Sequence, residues 1–263
     1  MSDLFYTTYG DGDKRVLLVH GWASSHTMWN NIHPHIQNAT AYALDLAGFG
    51  HSSAVDSALT VDAHVESVIK FAEEIAKPQM IIAHSMGGLI TLKALQIRPD
   101  LAEQVVLICP VVTGRFGALG GIASDIIRNE MAVNALRATK DLWTMVQNEY
   151  LLNVTVPLVH SNPQLAERVK HNFLMTRPQA GIEAIISMAK QNTVEHLPSI
   201  TQPTLVMVST GDTTVPHTEG RTAAECIPNS ELVVFDKSRH HPMDEETDKF
   251  VPILREFIGR YGF

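Results

Sequence analysis

The sequence predicts an α/β fold: a mostly parallel sheet, helices on both of its faces, and a helical cap inserted between two strands. Three observations carry that prediction. Short apolar runs recur at residues 16–19, 41–44, 80–82, 105–108, 205–208 and 232–235. They are near-continuous rather than alternating, as strands covered on both faces are. Helical patterns fill the intervals between them. Val61, Val65, Val68, Ile69, Ala72 and Ile75 mark one face of a helix from Val61 to Ala76, with Thr60 or Asp62 as its cap. Asp244 to Tyr261 forms a second helical pattern despite Pro252 within it. The alternation then breaks between residues 112 and 190. One helical pattern there is headed by Ile122, Ile126 and Met131, a second carries Leu165, Val169 and Phe173, and a third Ile182, Ile185, Ile186 and Ala189. A plain run of crossover helices is the alternative, but one crossover does not need about eighty residues. The expected organisation is a core of residues 1–111 and 191–263 with a cap of 112–190 over the strand ends, where ligands of open α/β sheets bind.

Composition narrows the class. The 263 residues are 45% hydrophobic and 18% charged, enough to bury a full core. A formal net charge of −8 argues against nucleic acid as a partner. The first residues show neither a basic n-region nor an apolar h-region, and no apolar stretch approaches the roughly 20 residues that span a bilayer. A cytoplasmic enzyme without membrane contact is expected. Cys109 ends an apolar run and lies far from Cys226, which favours a buried free thiol over a disulfide. The 13 histidines are scattered, and the close pairs His33/His35 and His240/His241 lack further ligands at metal-site spacing. No metal and no organic cofactor is expected. Gly10-x-Gly12 and Gly48-x-Gly50 lack the third glycine and the βαβ context of a nucleotide site.

The chemistry concentrates at residues 80–88, Met-Ile-Ile-Ala-His-Ser-Met-Gly-Gly. An apolar strand runs into Ser85 at a tight turn, and a helical pattern follows at once. Such a turn pushes the hydroxyl out of the backbone and aims a helix N-terminus at whatever it attacks. A serine hydroxyl needs a base to take its proton, and the base needs an orienting acid. Asp212 lies just beyond one later strand and His240 just beyond the next, so one edge of the sheet gathers all three. The strand ending at Val19 runs into His20-Gly21-Trp22. The backbone N–H groups of Trp22 and Met86 are the expected oxyanion donors. His20 reads as a residue shaping that loop, and Asp45 as a hydrogen-bond anchor for the Gly-rich turn after it. Phe116, Trp143, Tyr150, Phe173 and Met175 either line an acyl pocket or pack the cap on the core.

These segments, with Asp45-Leu46-Ala47-Gly48-Phe49-Gly50-His51-Ser52, Gly211-Asp212 and His240-x-Pro242, resemble the α/β-hydrolase superfamily over nearly the whole chain, in its cap-bearing serine esterase branch. The layout is similar to that of the pimeloyl-carrier-protein methyl ester esterases, which also carry His-Gly-Trp at the oxyanion loop. The resemblance implies a Ser85-Asp212-His240 triad, since the family order is Ser, acid, His. Its His-x-Pro pattern selects His240 over His241, which becomes a neighbour in the pocket wall or at the surface. Ala83 departs from the glycine usual there and crowds the turn slightly. The implied activity is hydrolysis of carboxylic esters of small to medium acyl groups through an acyl-enzyme. Thioester or carbon–carbon bond hydrolysis by the same triad is the alternative, as is a lyase, cyclase or ligand receptor on the same fold. The expected partner is a small-molecule ester. Residues 113–190 hold 8 Lys+Arg against 6 Asp+Glu, which suits an ester carried on an acidic acyl-carrier protein, or is simply an ordinary helical surface.

Overall fold

A computed structural model describes residues 3–117, 127, 129–138, 143, 147–160 and 162–263. The strands are β1 (Tyr6–Tyr9), β2 (Lys14–Val19), β3 (Ala39–Leu44), β4 (Met80–His84), β5 (Gln104–Ile108), β6 (Thr204–Ser209) and β7 (Ser230–Phe235). They form one sheet in the order β1-β3-β2-β4-β5-β6-β7, parallel except for β1, which runs antiparallel to β3. All six runs read from the sequence are strands. β1 was not among them: its Tyr-Thr-Thr-Tyr is short and lies at the sheet edge, half in solvent.

The unbroken apolar runs of the central strands follow from burial on two sides, whereas β7 ends the sheet and its run is only partly covered, with Leu232 36% exposed. Every residue of β4, β5 and β6 is buried. Leu17, Val19, Ile81, Ala83, Val105 and Leu107 face one core cluster, and Val16, Leu18, Met80, Ile82, Val106 and Ile108 the other. Helices α1 (Val61–Phe71) and α2 (Met86–Ile97) cover the first face. Thr60 caps α1 by accepting from Ala63 N–H at 3.3 Å, while Asp62 in the first turn pairs with Lys93. The helix then widens into a π-helical segment, Ala72–Ala76, before Lys77 ends it in a left-handed conformation. The second face is closed from the C-terminus. The single helix expected from Asp244 to Tyr261 is two, Pro242–Glu245 and Thr247–Gly259, separated at Glu246. Phe250, Leu254, Phe257 and Ile258 of the longer one are buried against the sheet, and Pro252 points to solvent.

Between β5 and β6 the described residues hold helices α3 (Glu130–Ala138), α4 (Glu149–Val159), α5 (Pro163–Leu174) and α6 (Pro178–Ala189), with no strand among them. Leu165 and the Ile182/Ile186/Ala189 face of α6 are buried as expected. Met131 is 82% exposed instead, and Ile122 and Ile126 lie outside the described residues. Arg177 N–H donates to Gly48 O at 2.8 Å, tying α6 to the loop after β3. No described helix is long and apolar enough to cross a membrane, and Cys109 and Cys226 are both free.

The strand order reverses between β2 and β4: from β2 the chain builds outward to β3, then returns to β4 on the other side. In open α/β sheets, ligands bind at the strand carboxyl ends beside such a reversal. Trp22 follows β2 and Ser85 follows β4 at this place.

His64 on α1 is wholly buried, and neither ring nitrogen has a hydrogen-bond partner. Burial, with a smaller push from His20, lowers its pKa to about 4. The neutral form is native, so the unfolded chain binds the extra proton between pH ~6.5 and 4. Its contribution to stability is complete above about pH 6.5 and falls by up to about 1.4 kcal/mol per pH unit on the way down. The variant His64→Leu should show a flatter loss of stability between pH 6.5 and 4, read from urea midpoints. Equal slopes in both proteins would contradict this.

Candidate active site

Ser85 sits between β4 and α2 with φ 54° and ψ −117°. A non-glycine residue there stores of order 1–3 kcal/mol of strain, held by its surroundings. Ser85 N–H donates to Ile108 O at 2.9 Å, and the Ser85 carbonyl accepts Gly88 N–H at 2.9 Å. Two glycines let neighbouring backbone close in. A Cβ on Gly87 would lie 2.3 Å from Val19 O, and one on Gly21 would lie 3.0 Å from Ser85 Cβ and 2.9 Å from His84 Nδ1. Ala83, fully buried and paired with Val19 and Leu107, is accommodated without loss of the turn. The Ser85 side chain caps no helix N–H, so its hydroxyl is not consumed by the backbone.

Asp212 follows β6. Its Oδ1 accepts the N–H groups of Thr214 and Val215 at 2.8 and 2.9 Å, and its Oδ2 lies 2.7 Å from His240 Nδ1. Burial works to raise its pKa, but the imidazole of His240 and those two backbone donors hold it below the usual carboxylate range. Asp212 is therefore the ionised partner and His240 Nδ1–H the donor, which leaves Nε2 with its lone pair free. His240 follows β7, and its carbonyl accepts from His84 Nε2 at 2.9 Å while the two rings lie 4.5 Å apart. Burial, then the nearby His240, drives the His84 pKa to about 3, so His84 is a neutral strut between the Ser85 turn and the His240 loop.

Ser85 and His240 line one cavity of about 160 Å³ together with Trp22, Ala23, Met28, Val169 and Phe173. The N–H groups of Trp22 and Met86 donate to no acceptor among the described residues. The Trp22 indole donates to Gly181 O at 2.9 Å and meets Trp143 and Phe173 edge-on, which fixes the loop carrying its backbone N–H. His20 shapes that loop: Leu46 N–H donates to its Nε2 at 2.9 Å, so Nδ1–H donates to Gly21 O at 2.7 Å. Asp45 anchors the next turn through the N–H groups of His26 and His51. Cys109 Sγ lies with ligand atoms of Asp212 and His240, all within 4.8 Å of one another. Burial pushes that thiol well up, and Asp212 already serves three N–H donors, so the grouping suits a neutral thiol packed against the pair rather than a metal.

Of the aromatic and Met residues expected to line a pocket or pack the cap, only Phe173 lines the cavity. Trp143 stacks behind it, Phe116 is in the core, Tyr150 is 75% exposed and Met175 is half-buried elsewhere. His241 is in the cavity wall, and it is joined by His160, Arg168, Asn172 and Thr214, which the sequence did not single out. Arg168 falls one residue before Val169 in the Leu165-Val169-Phe173 stripe, a placement that could have drawn attention to it.

A 2-hydroxy-6-oxononadienedioate/2-hydroxy-6-oxononatrienedioate hydrolase from Pseudomonas sp. is 23% identical over 267 residues, covering 95% of this chain and 90% of its own. A pimeloyl-[acyl-carrier protein] methyl ester esterase from Klebsiella pneumoniae is 26% identical over 272 residues, covering 100% of both chains. The solved structure of an esterase from Exiguobacterium antarcticum superposes with a TM-score of 0.79 at 18% identity, covering 97% of this chain and 95% of that one, a likeness of fold. The profile of the Alpha/beta hydrolase family matches residues 16–253, and the chain belongs to that family.

Proposed function

We propose that the protein is a serine carboxylic ester hydrolase in which Ser85 is the nucleophile, His240 the base and Asp212 the orienting acid. One observation carries the reading. The 2.7 Å Asp212–His240 bond fixes the imidazole tautomer, and the ring it fixes lines the same cavity as the strained Ser85. Ser85 Oγ attacks the ester carbonyl as His240 Nε2 takes its proton. The N–H groups of Trp22 and Met86 receive the oxyanion. His240 returns the proton to the leaving alcohol, and water repeats the cycle on the acyl-enzyme. The helices of residues 112–190 act as a cap, with α5 lining the cavity through Val169 and Phe173 and α6 accepting the Trp22 indole N–H at Gly181. The relatives named for a carrier-protein methyl ester support ester chemistry, with the substrate free or carried on an acyl-carrier protein. Carbon–carbon hydrolysis, the activity in the name of the Pseudomonas relative, is the second reading, because the same three groups would serve it.

In Ser85→Ala, kcat for a short p-nitrophenyl ester should fall about 10⁶-fold, and in Asp212→Asn about 10⁴-fold, with the fold intact by circular dichroism. Hydrolysis unchanged in Ser85→Ala would end the proposal. Gly21→Ala should push the oxyanion loop off Ser85 and lower kcat on the order of 10²-fold. Steady-state kinetics with wild-type turnover in that variant would show that the loop plays no such part.

A further inference from the structure

One side of the cavity beside Ser85 is apolar, formed by Trp22, Met28, Val169 and Phe173. The wall holding His160, His241 and Arg168 is polar, and the acyl-transfer chemistry makes no use of it. Arg168 is held rather than free to swing: its Nη2 donates to Asp244 Oδ2 at 2.5 Å, and Asp244 Oδ1 accepts from Asn31 Nδ2 at 2.7 Å. The Asp244 side chain is 1% exposed and that of Arg168 13%. This bond uses one of five guanidinium N–H donors, and the others have no protein acceptor among the described residues. The histidines continue the wall. His160 packs edge-on against His241 at 5.3 Å, and His241 against His240 at 5.4 Å. Nδ1 of both His160 and His241 is sealed from solvent without a partner, so Nε2 is the nitrogen of each ring left to meet a ligand. Burial first, and the charges of His240 and Arg168 among the further causes, push both imidazoles down, His160 to about 4. Both are neutral near pH 7, so each ring keeps one N–H to donate.

A purely apolar substrate filling this cavity would strip water from these donors and leave them unpaired, at a cost for each. A carboxylate would satisfy several at once, because a guanidinium edge matches its two oxygens and charge-assisted bonds are roughly twice as strong as neutral ones. We infer that Arg168, His160 and His241 form a carboxylate subsite, and that the substrate is a short ester bearing a second, ionised carboxylate. The inference rests on the ester hydrolase reading above. Size favours a short chain: at roughly 30 Å³ per water, a cavity of about 160 Å³ has room for only a few such groups between the scissile carbonyl and the second carboxylate. It can belong to the acyl part, as in a half-ester of a dicarboxylic acid, or to the alcohol part, as in an acylated hydroxy acid.

The test compares kcat/KM for monomethyl succinate with methyl succinamate, and for acetoxyacetate with acetoxyacetamide. The charged member of one pair should be preferred at least tenfold, and the pair that shows it identifies which side of the ester carries the charge. Arg168→Met should erase that preference. Because it leaves the buried Asp244 without its counter-charge, the double variant Arg168→Met/Asp244→Leu is measured beside it, with thermal melts to confirm folding. Calorimetric titration of succinate into Ser85→Ala gives a readout without turnover, and its affinity should drop at least tenfold when Arg168→Met is added. Equal rates within both pairs, or a preference that survives in the folded double variant, would overturn the subsite while leaving the hydrolase reading standing. Succinate binding that depends on Arg168 in a protein that hydrolyses no ester would do the reverse.

Discussion

A serine held at φ 54° and ψ −117° is unfavourable on its own, and much of the molecule serves to keep it there. β4 is clamped between β2 and β5, so the strand leading into the turn cannot shift. The helix leaving it is drawn against the end of β2, an approach that only glycine at position 87 permits. The Ser85 N–H is taken by Ile108. Strain of order 1–3 kcal/mol is small beside the burial of three wholly buried strands, so the fold can hold a conformation that an isolated strand–helix turn would relax. What this secures is direction. The hydroxyl leaves the backbone toward the cavity instead of folding back to cap α2.

The same turn organises its neighbours. Because the strand order reverses between β2 and β4, the loop carrying Trp22 and the turn carrying Ser85 emerge side by side. β6 and β7 deliver Asp212 and His240 to the same edge, and the residue just before the serine reaches across to them. His84, neutral through burial, donates to the carbonyl of His240 and packs at a tilt against its ring. Movement of the imidazole loop would therefore cost a buried hydrogen bond as well as the bond to Asp212. The polar wall of His241, His160 and Arg168 extends outward from this strut, so the proposed subsite and the proposed base belong to one continuous row of side chains.

Much of this arrangement could be read in the chain. Strands buried on both faces announce themselves as unbroken apolar runs, and Ser85 and Asp212 each follow one, while His240 follows the apolar run of the partly exposed edge strand β7. Thr60 shows itself as a cap because capping is local chemistry. The structural parts given to His20 and Asp45 match what those residues touch. Tertiary context decided the rest. β1 exists only because β3 offers a free edge, and its four residues carry little apolar signal. The C-terminal helix breaks at Glu246, whose carboxylate accepts the N–H groups of Lys237 and Ser238, a pairing invisible in periodicity. His160 and Arg168 are ordinary helix-surface residues in one dimension. They become a cavity wall only when α4 and α5 settle beside the loop carrying His241.

Fluorophosphonate labelling followed by peptide mapping tests most directly whether the strained turn presents an activated hydroxyl. The account predicts one adduct per chain, on Ser85, with labelling slowed by orders of magnitude in His240→Ala. Adducts elsewhere, or equal labelling rates with and without the imidazole, would contradict it.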